Sequence, residues 1–126
     1  MIGAIYKYLG HGSLSPSDKY KASCIKWINK KSLCVVVCSK GYPDEFKKHV
    51  EIENLKFIEF DEYDHLFHAG TTQKDEKVYA IGGRVLNFVS LSNDFSEAKM
   101  RIMQNLHKLN WSGGFYRKDI GYKVTE

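Results

Sequence analysis

The chain has 126 residues and a mass of 14.5 kDa, which is the size of a single domain. Its 43% hydrophobic and 27% charged residues exclude intrinsic disorder, and the lack of any run of 18 apolar residues excludes a membrane-spanning helix. The net charge of +4 is mild and its 19 basic residues are scattered among acidic ones, so we expect no nucleic-acid partner and no membrane partner.

The beginning of the chain is predicted to be the end of a helix followed by a linker. Apolar residues recur there at helical spacing: Ile2, Ile5, Tyr6 and Leu9. Gly10 suits the C-cap of that helix, and residues 11–18 have the Gly, Ser and Pro content of a linker. The apolar stretch is too short for a secretory signal. We therefore expect residues 1–18 to be a helix remnant and linker, and residues 19–126 to form the domain.

Two strands and a turn are predicted next. Tyr20–Ile28 shows a strand pattern, residues 29–32 suit a turn, and Leu33–Cys38 is a strand rich in β-branched residues. The two strands are predicted to form a hairpin. Because Leu33–Cys38 is almost entirely apolar, we expect it to be buried on both faces. Asp44–Lys48 is predicted to form a helical turn, and Ile52–Phe60 is ambiguous.

The three cysteines are Cys24, Cys34 and Cys38, and an odd number favours a reducing compartment, so we expect a cytoplasmic protein. On a strand, Cys34 and Cys38 would share one face but lie about 13 Å apart, since each residue advances about 3.3 Å. That separation is too large for both thiolates to bind one metal ion. We therefore expect buried structural thiols and no metal site.

A second hairpin is predicted around a glycine pair. His65–Ala69 suits a short strand that ends at Gly70. Lys77–Ile81 and Arg84–Leu91 suit two further strands, and Gly82-Gly83 between them is typical of a tight hairpin turn.

The clearest helix is predicted over residues 95–109. Asp94 suits the N-cap, and Glu97 follows at the spacing of a capping box. One apolar stripe runs along this helix: Phe95, Ala98, Ile102, Leu106 and Leu109. Residues 111–114 end it, and Phe115–Val124 is a further strand or loop. About six short strands and one long helix predict an α+β fold.

Three polar constellations are candidates for function. His68 and Thr71 flank a flexible turn, but no nucleophile at a recognisable spacing accompanies them. Arg84 follows the glycine pair and could bind a carboxylate or phosphate with two hydrogen bonds, or could be an ordinary surface residue. Arg117 and Asp119 would share one side of an extended segment, where they form an ion pair or bind an amine and a phosphate. The sequence contains neither a P-loop nor a G-x-G-x-x-G motif, so we expect no ATP and Mg²⁺ binding by this chain alone.

Taken in chain order, five short motifs resemble the C-terminal region of the phosphoribosylamine–glycine ligases, which are also called glycinamide ribonucleotide synthetases. The motifs are Cys34–Pro43, Phe67–Thr71, Gly82–Leu86, Glu97-Ala98 and Tyr116–Tyr122. The resemblance extends over roughly residues 20–124, and residues 1–18 are similar to the end of the ATP-grasp domain of that family.

The resemblance implies an ATP-dependent carbon–nitrogen ligase of purine biosynthesis. Such an enzyme joins glycine to 5-phosphoribosylamine and forms glycinamide ribonucleotide. ATP and Mg²⁺ (or Mn²⁺) would be cofactors of the full-length enzyme and would bind outside this chain. We therefore expect the chain alone to be inactive, with the N-terminal and ATP-grasp domains of the ligase as its partners. The alternative is a free-standing, non-catalytic binding or docking module.

The resemblance also implies a fold and a set of site residues. The fold would be a small, mostly antiparallel, barrel-sandwich-like β-domain with one packed helix, similar to the C-terminal lobe of biotin carboxylase. Five side chains match motif positions that would line the substrate cleft: His68, Thr71, Arg84, Arg117 and Asp119. Five glycines would shape the backbone: Gly41, Gly70, Gly82, Gly83 and Gly121.

These residues carry implied roles. Arg84 or Arg117 would bind a phosphate or carboxylate, and Asp119 would hold an amine or orient an arginine. No catalytic residue and no metal ligand is expected in this chain. A lobe separated from its neighbours should also expose a large apolar patch, and the apolar stripe of residues 2–9 is the candidate for it.

Overall fold

A computed structural model describes residues 25–125 of the chain. These residues form two antiparallel sheets and one long helix, which is the α+β arrangement predicted from the sequence. The strands are β1 (Lys31–Ser39), β2 (Val50–Glu51), β3 (Asp64–His68), β4 (Thr71–Lys74), β5 (Lys77–Ala80), β6 (Arg84–Ser92) and β7 (Gly114–Tyr116). The helices are a 3₁₀ turn (Leu55–Phe57), α1 (Phe95–Lys108) and the short α2 (Tyr122–Thr125). None of these described helices is long and apolar enough to cross a membrane.

The larger sheet has the strand order β3-β6-β1-β7, and the smaller one has the order β2-β5-β4. The central pair, β1 and β6, runs antiparallel from Lys31 opposite Ser92 to Cys38 opposite Arg84. Helix α1 packs across this pair. Both sheets contribute to one hydrophobic core, because Ala80 of the smaller sheet belongs to the same buried cluster as the central strands and α1.

Strand β1 is buried on one face only, so the prediction that both faces are buried is wrong. Val35 and Val37 point into the core with almost no exposed surface, whereas Val36 between them is 36% exposed. The cause is that α1 and the core cover a single side of the sheet. Cys34 is exposed and Cys38 is half-buried on the other side, so the prediction of buried structural thiols is also wrong. Partial burial nevertheless raises the pKa of the Cys34 thiol.

Neither predicted hairpin is present among the described residues. Residues 25–30 form no strand, and β1 pairs with β6 and β7 instead. Strands β5 and β6, on either side of Gly82-Gly83, lie in different sheets. The two-residue hairpin joins β4 to β5 at Asp75 and Glu76, which both have positive φ, as a type I′ turn requires. Because neither residue is glycine, the sequence carries little signal for this turn.

Gly70 and Gly82 lie where the chain crosses between the two sheets. The Gly70 carbonyl accepts hydrogen bonds from the N–H groups of Ile81 and Gly82, at 2.9 and 3.2 Å. A Cβ atom on Gly70 would lie 2.6 Å from the Arg84 carbonyl oxygen and 2.8 Å from the Gly82 Cα. The Ser39 hydroxyl donates to the Gly82 carbonyl oxygen at 2.8 Å and ties the crossing to β1. We call this paired backbone contact the glycine crossing.

Helix α1 confirms the predicted helix and its apolar stripe. Asp94 caps it by accepting a hydrogen bond from the Ser96 N–H at 2.8 Å. The predicted capping box does not form, since the Glu97 carboxylate accepts from the Ser92 hydroxyl on β6 rather than from the backbone of Asp94. Ala98, Ile102 and Leu106 are buried against the sheet.

Two other predicted segments differ from the structure or lie outside it. Asp44–Lys48 is not helical, because the Gly41 carbonyl accepts from the Asp44 N–H and closes a turn before the chain extends. The predicted strand or loop at 115–124 is divided between β7 and α2. The predicted N-terminal helix remnant, linker and first strand up to residue 24 lie outside the described residues.

Asp64, which is buried, and the part-buried Arg101 form an ion pair that joins β3 to α1. One carboxylate oxygen of Asp64 accepts from Arg101 Nη2 at 2.7 Å and from the Ser90 hydroxyl at 2.6 Å. The other accepts from Arg101 Nε at 3.3 Å. Arg101 Nη2 also lies 2.9 Å from a carboxylate oxygen of the exposed Asp61. These bonds hold the edge strand β3 against the helix.

We expect Gly70→Ala to lower the free energy of unfolding by about 2–3 kcal/mol, because the added methyl group would meet backbone atoms that cannot rotate away. Urea denaturation measures the change. Gln73→Ala, at an exposed position of β4, is the control and should change stability by less than about 0.5 kcal/mol. A Gly70→Ala protein with the urea midpoint of the unaltered chain would contradict the close contact.

We expect Asp64→Asn to lower the free energy of unfolding by about 2–3 kcal/mol, because it leaves the Arg101 charge without its buried partner. Asp61→Asn removes the exposed partner of the same arginine and should change it by less than about 1 kcal/mol. Thermal and urea unfolding of both variants measure the difference. Equal losses of unfolding free energy in the two variants would show that Asp64 stabilises the fold no more than the exposed Asp61 does.

Candidate functional site

His68 and Thr71 are placed together by the glycine crossing. His68 ends β3 and Thr71 begins β4, so the two residues flank Ala69-Gly70, where the chain leaves the larger sheet. The Nδ1 atom of His68 and the Oγ1 atom of Thr71 are 2.9 Å apart, which is a hydrogen bond. This bond occupies Nδ1 and leaves Nε2 as the ring nitrogen that a ligand could reach.

Arg84 lines a groove beside the same crossing. The groove has a volume of about 500 Å³ and is lined by Val36, Tyr42, Ala69, Gly70, Gly83, Arg84 and Asn87. Within residues 25–125, no carboxylate lies within 4 Å of the Arg84 guanidinium. Partial burial raises the pKa of the neighbouring Cys38 thiol, and the positive charge of Arg84 lowers it by a smaller amount. An exposed, unpaired guanidinium in a groove can bind a phosphate or carboxylate.

A second close contact, between Gly83 and the Tyr42 ring, shapes this groove. A Cβ atom on Gly83 would lie 2.1 Å from Cδ2 of Tyr42, so the tyrosine ring occupies the space that a side chain would need. The Ser39 N–H also donates to the Gly83 carbonyl oxygen at 2.8 Å. These contacts hold the start of β6, and therefore Arg84, against the end of β1.

Arg117 and Asp119 form the ion pair that was one of the two alternatives from the sequence. Arg117 donates from Nε and Nη2 to the two carboxylate oxygens of Asp119, at 3.0 and 2.6 Å. These hydrogen bonds hold the pKa of the Asp119 carboxyl below its ordinary value. Both side chains are exposed, so a bound anion could draw Arg117 away from Asp119.

The five predicted site residues fall into two groups. His68, Thr71 and Arg84 lie around the glycine crossing, where His68 is opposite Leu86 of β6. Arg117 and Asp119 follow β7, which pairs with the other side of β1, and they do not line the Arg84 groove. The strand order therefore places β1 between the two groups.

The uncovered side of the larger sheet exposes apolar residues near both groups. Phe67, Val36 and Phe115 are 55%, 36% and 39% exposed, and each sits on a different strand of the sheet. The register places Phe67 opposite Asn87, Asn87 opposite Val36, and Phe115 opposite Cys38. We call this side, with Phe67, Asn87, Val36, Cys38 and Phe115, the outer sheet face. The expected apolar stripe of residues 2–9 lies outside the described residues.

Sequence reasoning missed Tyr42, Val36 and Asn87 as groove residues. Strict alternation along β1 and β6 would have placed Val36 and Asn87 on one face, but the nearly unbroken apolar run of β1 hid that alternation. Tyr42 comes from a turn, and no periodic pattern predicts where such a side chain points. The glycines chosen for backbone shape include Gly41 and Gly121, which have φ values of 98° and 78°.

The described residues offer no cluster of side chains for a metal ion such as Mg²⁺. Within 25–125, no group of three or more His, Cys, Asp or Glu side chains is arranged to hold a metal ion. Asp64 is committed to Arg101 and Ser90, and Asp119 to Arg117. The groove at Arg84 offers one cation and a small polar surface, which suits a single anionic group rather than a metal–triphosphate.

Comparison with known proteins identifies the domain. The family model described as phosphoribosylglycinamide synthetase, C domain, matches residues 32–123. Phosphoribosylamine–glycine ligases from Caldanaerobacter subterraneus subsp. tengcongensis and Agrobacterium fabrum are 39% and 40% identical over 102 and 107 residues, which is 81% and 85% of this chain. The ligase from Synechocystis is 37% identical over 120 residues, or 87% of the chain.

A solved structure agrees with the sequence relatives. The crystal structure of the phosphoribosylamine–glycine ligase from Thermotoga maritima matches 71% of this chain with a TM-score of 0.58 and 32% identity. The match covers 21% of that protein, and the matches to the first two ligases above each cover 24% of theirs. This chain thus spans about a quarter of the length of its relatives and belongs to the phosphoribosylglycinamide synthetase C-domain family.

Proposed function

We propose that this chain is the C-terminal domain of a phosphoribosylamine–glycine ligase and supplies one wall of its substrate cleft. The whole enzyme would use ATP to activate the glycine carboxylate as an acyl phosphate. The amine of 5-phosphoribosylamine would then attack, giving glycinamide ribonucleotide, ADP and phosphate. The observation that carries the proposal is the Arg84 guanidinium, which lies in a groove next to the glycine crossing and has no carboxylate partner among residues 25–125.

Arg84 would bind an anionic group of a substrate or intermediate. Two features support this role. The guanidinium has no carboxylate partner among the described residues, and the contacts of Gly83 with Tyr42 and Ser39 hold its backbone in place. A held arginine loses little freedom on binding, and its planar fork matches a carboxylate or phosphate. The fixed positive charge would also offset negative charge that moves during phosphoryl transfer.

The other predicted site residues would complete the same wall. His68, held by its bond to Thr71, would present Nε2 for a hydrogen bond to substrate. Arg117 would bind a second anionic group, and Asp119 would keep it oriented until substrate arrives or would hold the substrate amine. ATP and Mg²⁺ would bind to the ATP-grasp domain of the longer protein.

The outer sheet face would be turned towards the N-terminal and ATP-grasp domains. Its exposed phenylalanines are costly in water and are typical of a surface that another domain covers. The short match to each relative leaves room for such domains, which would lie in the remaining three quarters of those proteins. In this arrangement residues 19–126 form the C-terminal domain and residues 1–18 end the preceding ATP-grasp domain.

We also propose that the two sheets have the barrel-sandwich architecture of the C-terminal lobe of biotin carboxylase. Support comes from the glycine crossing, where the chain passes between two antiparallel sheets around one core. The free thiols of Cys34 and Cys38 accord with a protein of the cytoplasm, where thiols stay reduced.

A domain exchange tests the function directly. The last quarter of the Caldanaerobacter ligase is replaced by this chain, and formation of glycinamide ribonucleotide from ATP, glycine and 5-phosphoribosylamine is measured. We expect the chimera to be active and the chain alone to be inactive. Arg84→Met in the chimera should lower kcat/KM at least about 100-fold, because one charged contact to a reacting anion is lost.

Lys74→Met is the matched control, since it removes an exposed cation from β4, far along the hairpin from the groove, and should leave kcat/KM within about twofold. A folded chimera without activity would contradict the assignment to the ligase and favour a free-standing binding module. An active chimera that keeps full activity with Arg84→Met would remove Arg84 from the cleft.

A further inference from the structure

The buried indole N–H of Trp111 has no hydrogen-bond acceptor among the described residues. The side chain is 8% exposed, and its Nε1 atom is shielded from solvent with no acceptor within hydrogen-bond distance in the described part of the chain. Buried N–H groups are almost always paired, since leaving one unpaired destabilises the fold. An unpaired buried donor therefore calls for an explanation, such as an acceptor supplied by a bound molecule.

This N–H lies behind the wall of a cavity. The position that a Cβ atom of Gly113 would take is 2.9 Å from Trp111 Nε1 and 3.2 Å from Cγ1 of Val50. Gly113 and Val50 both line a cavity of about 580 Å³, together with Lys40, Glu45, Phe46, Lys47 and Ser112. Gly113 therefore lies against the indole N–H and also lines the cavity, so a ligand that displaced the Ser112–Gly113 turn would reach the N–H.

The cavity lining is rich in hydrogen-bond donors. Lys40 and Lys47 have no carboxylate within 4 Å among the described residues, and Ser112 adds a hydroxyl. Glu45 is the single acid of the lining. Phe46 and Val50 provide an apolar side, and the Phe46 ring is held edge-to-face against Tyr42, with ring centroids 6.3 Å apart. A cavity lined by two lysines and an aromatic ring suits an organic anion that has a flat, apolar part.

We propose that this cavity binds a small aromatic or heteroaromatic phosphate ester, with the phosphate between Lys40 and Lys47 and the ring against Phe46. The Trp111 N–H donates to an acceptor of the bound ligand. This site is separate from the Arg84 groove, because the two recesses share no lining residue. Tyr42 lines the Arg84 groove, whereas Phe46, whose ring packs against Tyr42, lines the cavity. The proposal does not depend on the function assigned to Arg84.

The test follows the indole N–H signals of the full chain by ¹⁵N NMR while phenyl phosphate is added. The chain has two tryptophans, and Trp27, which is 65% exposed and outside the cavity, is an internal control. We expect a saturable shift of the Trp111 signal and none of the Trp27 signal. Trp27→Phe assigns the two signals. Inorganic phosphate and benzyl alcohol, each carrying half of the ligand chemistry, should bind more weakly than phenyl phosphate.

Two variants give the decisive comparison. Lys40→Ala with Lys47→Ala should weaken phenyl phosphate binding about tenfold, because two charged contacts to the phosphate are removed. Arg84→Met should leave the dissociation constant unchanged. A Trp111 signal that does not move, or that shifts without saturation, would overturn the proposal. So would equal affinity in the double lysine variant, or a loss of binding in Arg84→Met, which would assign the ligand to the other groove.

Discussion

A close backbone contact lies between Gly70 and Gly82, and most of the candidate site depends on it. A Cβ atom on Gly70 would lie 2.8 Å from the Gly82 Cα, and one on Gly82 would lie 3.0 Å from the Gly70 Cα, so each faces the backbone of the other segment. The contact lies where the chain leaves the larger sheet after β3 and where it returns from the smaller sheet to begin β6. As a result His68 and Arg84, which are 16 positions apart in the sequence, are held at the same end of the larger sheet.

The three arginines differ in whether a carboxylate of the described residues already binds them. Arg101 is committed to Asp64 and Asp61 and holds β3 to α1. Arg117 is committed to Asp119, but in an exposed pair that water screens and a ligand could open. Arg84 has no such partner among the described residues, although it sits in a groove. Of the three arginines, Arg84 is therefore the one best prepared to meet an incoming anion.

Local sequence signals predicted local structure well and sheet topology poorly. The α1 helix was predicted within one residue, because its stripe and its Asp94 cap are local features. The hairpin at Gly82-Gly83 was wrong, because the same glycines that permit a tight turn also permit a crossing between sheets. The true hairpin at Asp75-Glu76 has no glycine. The Arg84 groove was only partly predictable, since it needs Tyr42 from a distant turn.

In the proposed ligase, the outer sheet face is covered by the rest of the longer protein. Alkylation of Cys34 tests it most directly, because this thiol is exposed and lies on the same side of β1 as Val36. Its rate is compared between the chain alone and the active chimera, with peptide mass spectrometry to separate Cys34 from the other cysteines. We expect ready labelling of Cys34 in the chain alone and strong protection in the chimera. Equal rates in both proteins would contradict it and leave the outer sheet face open to solvent.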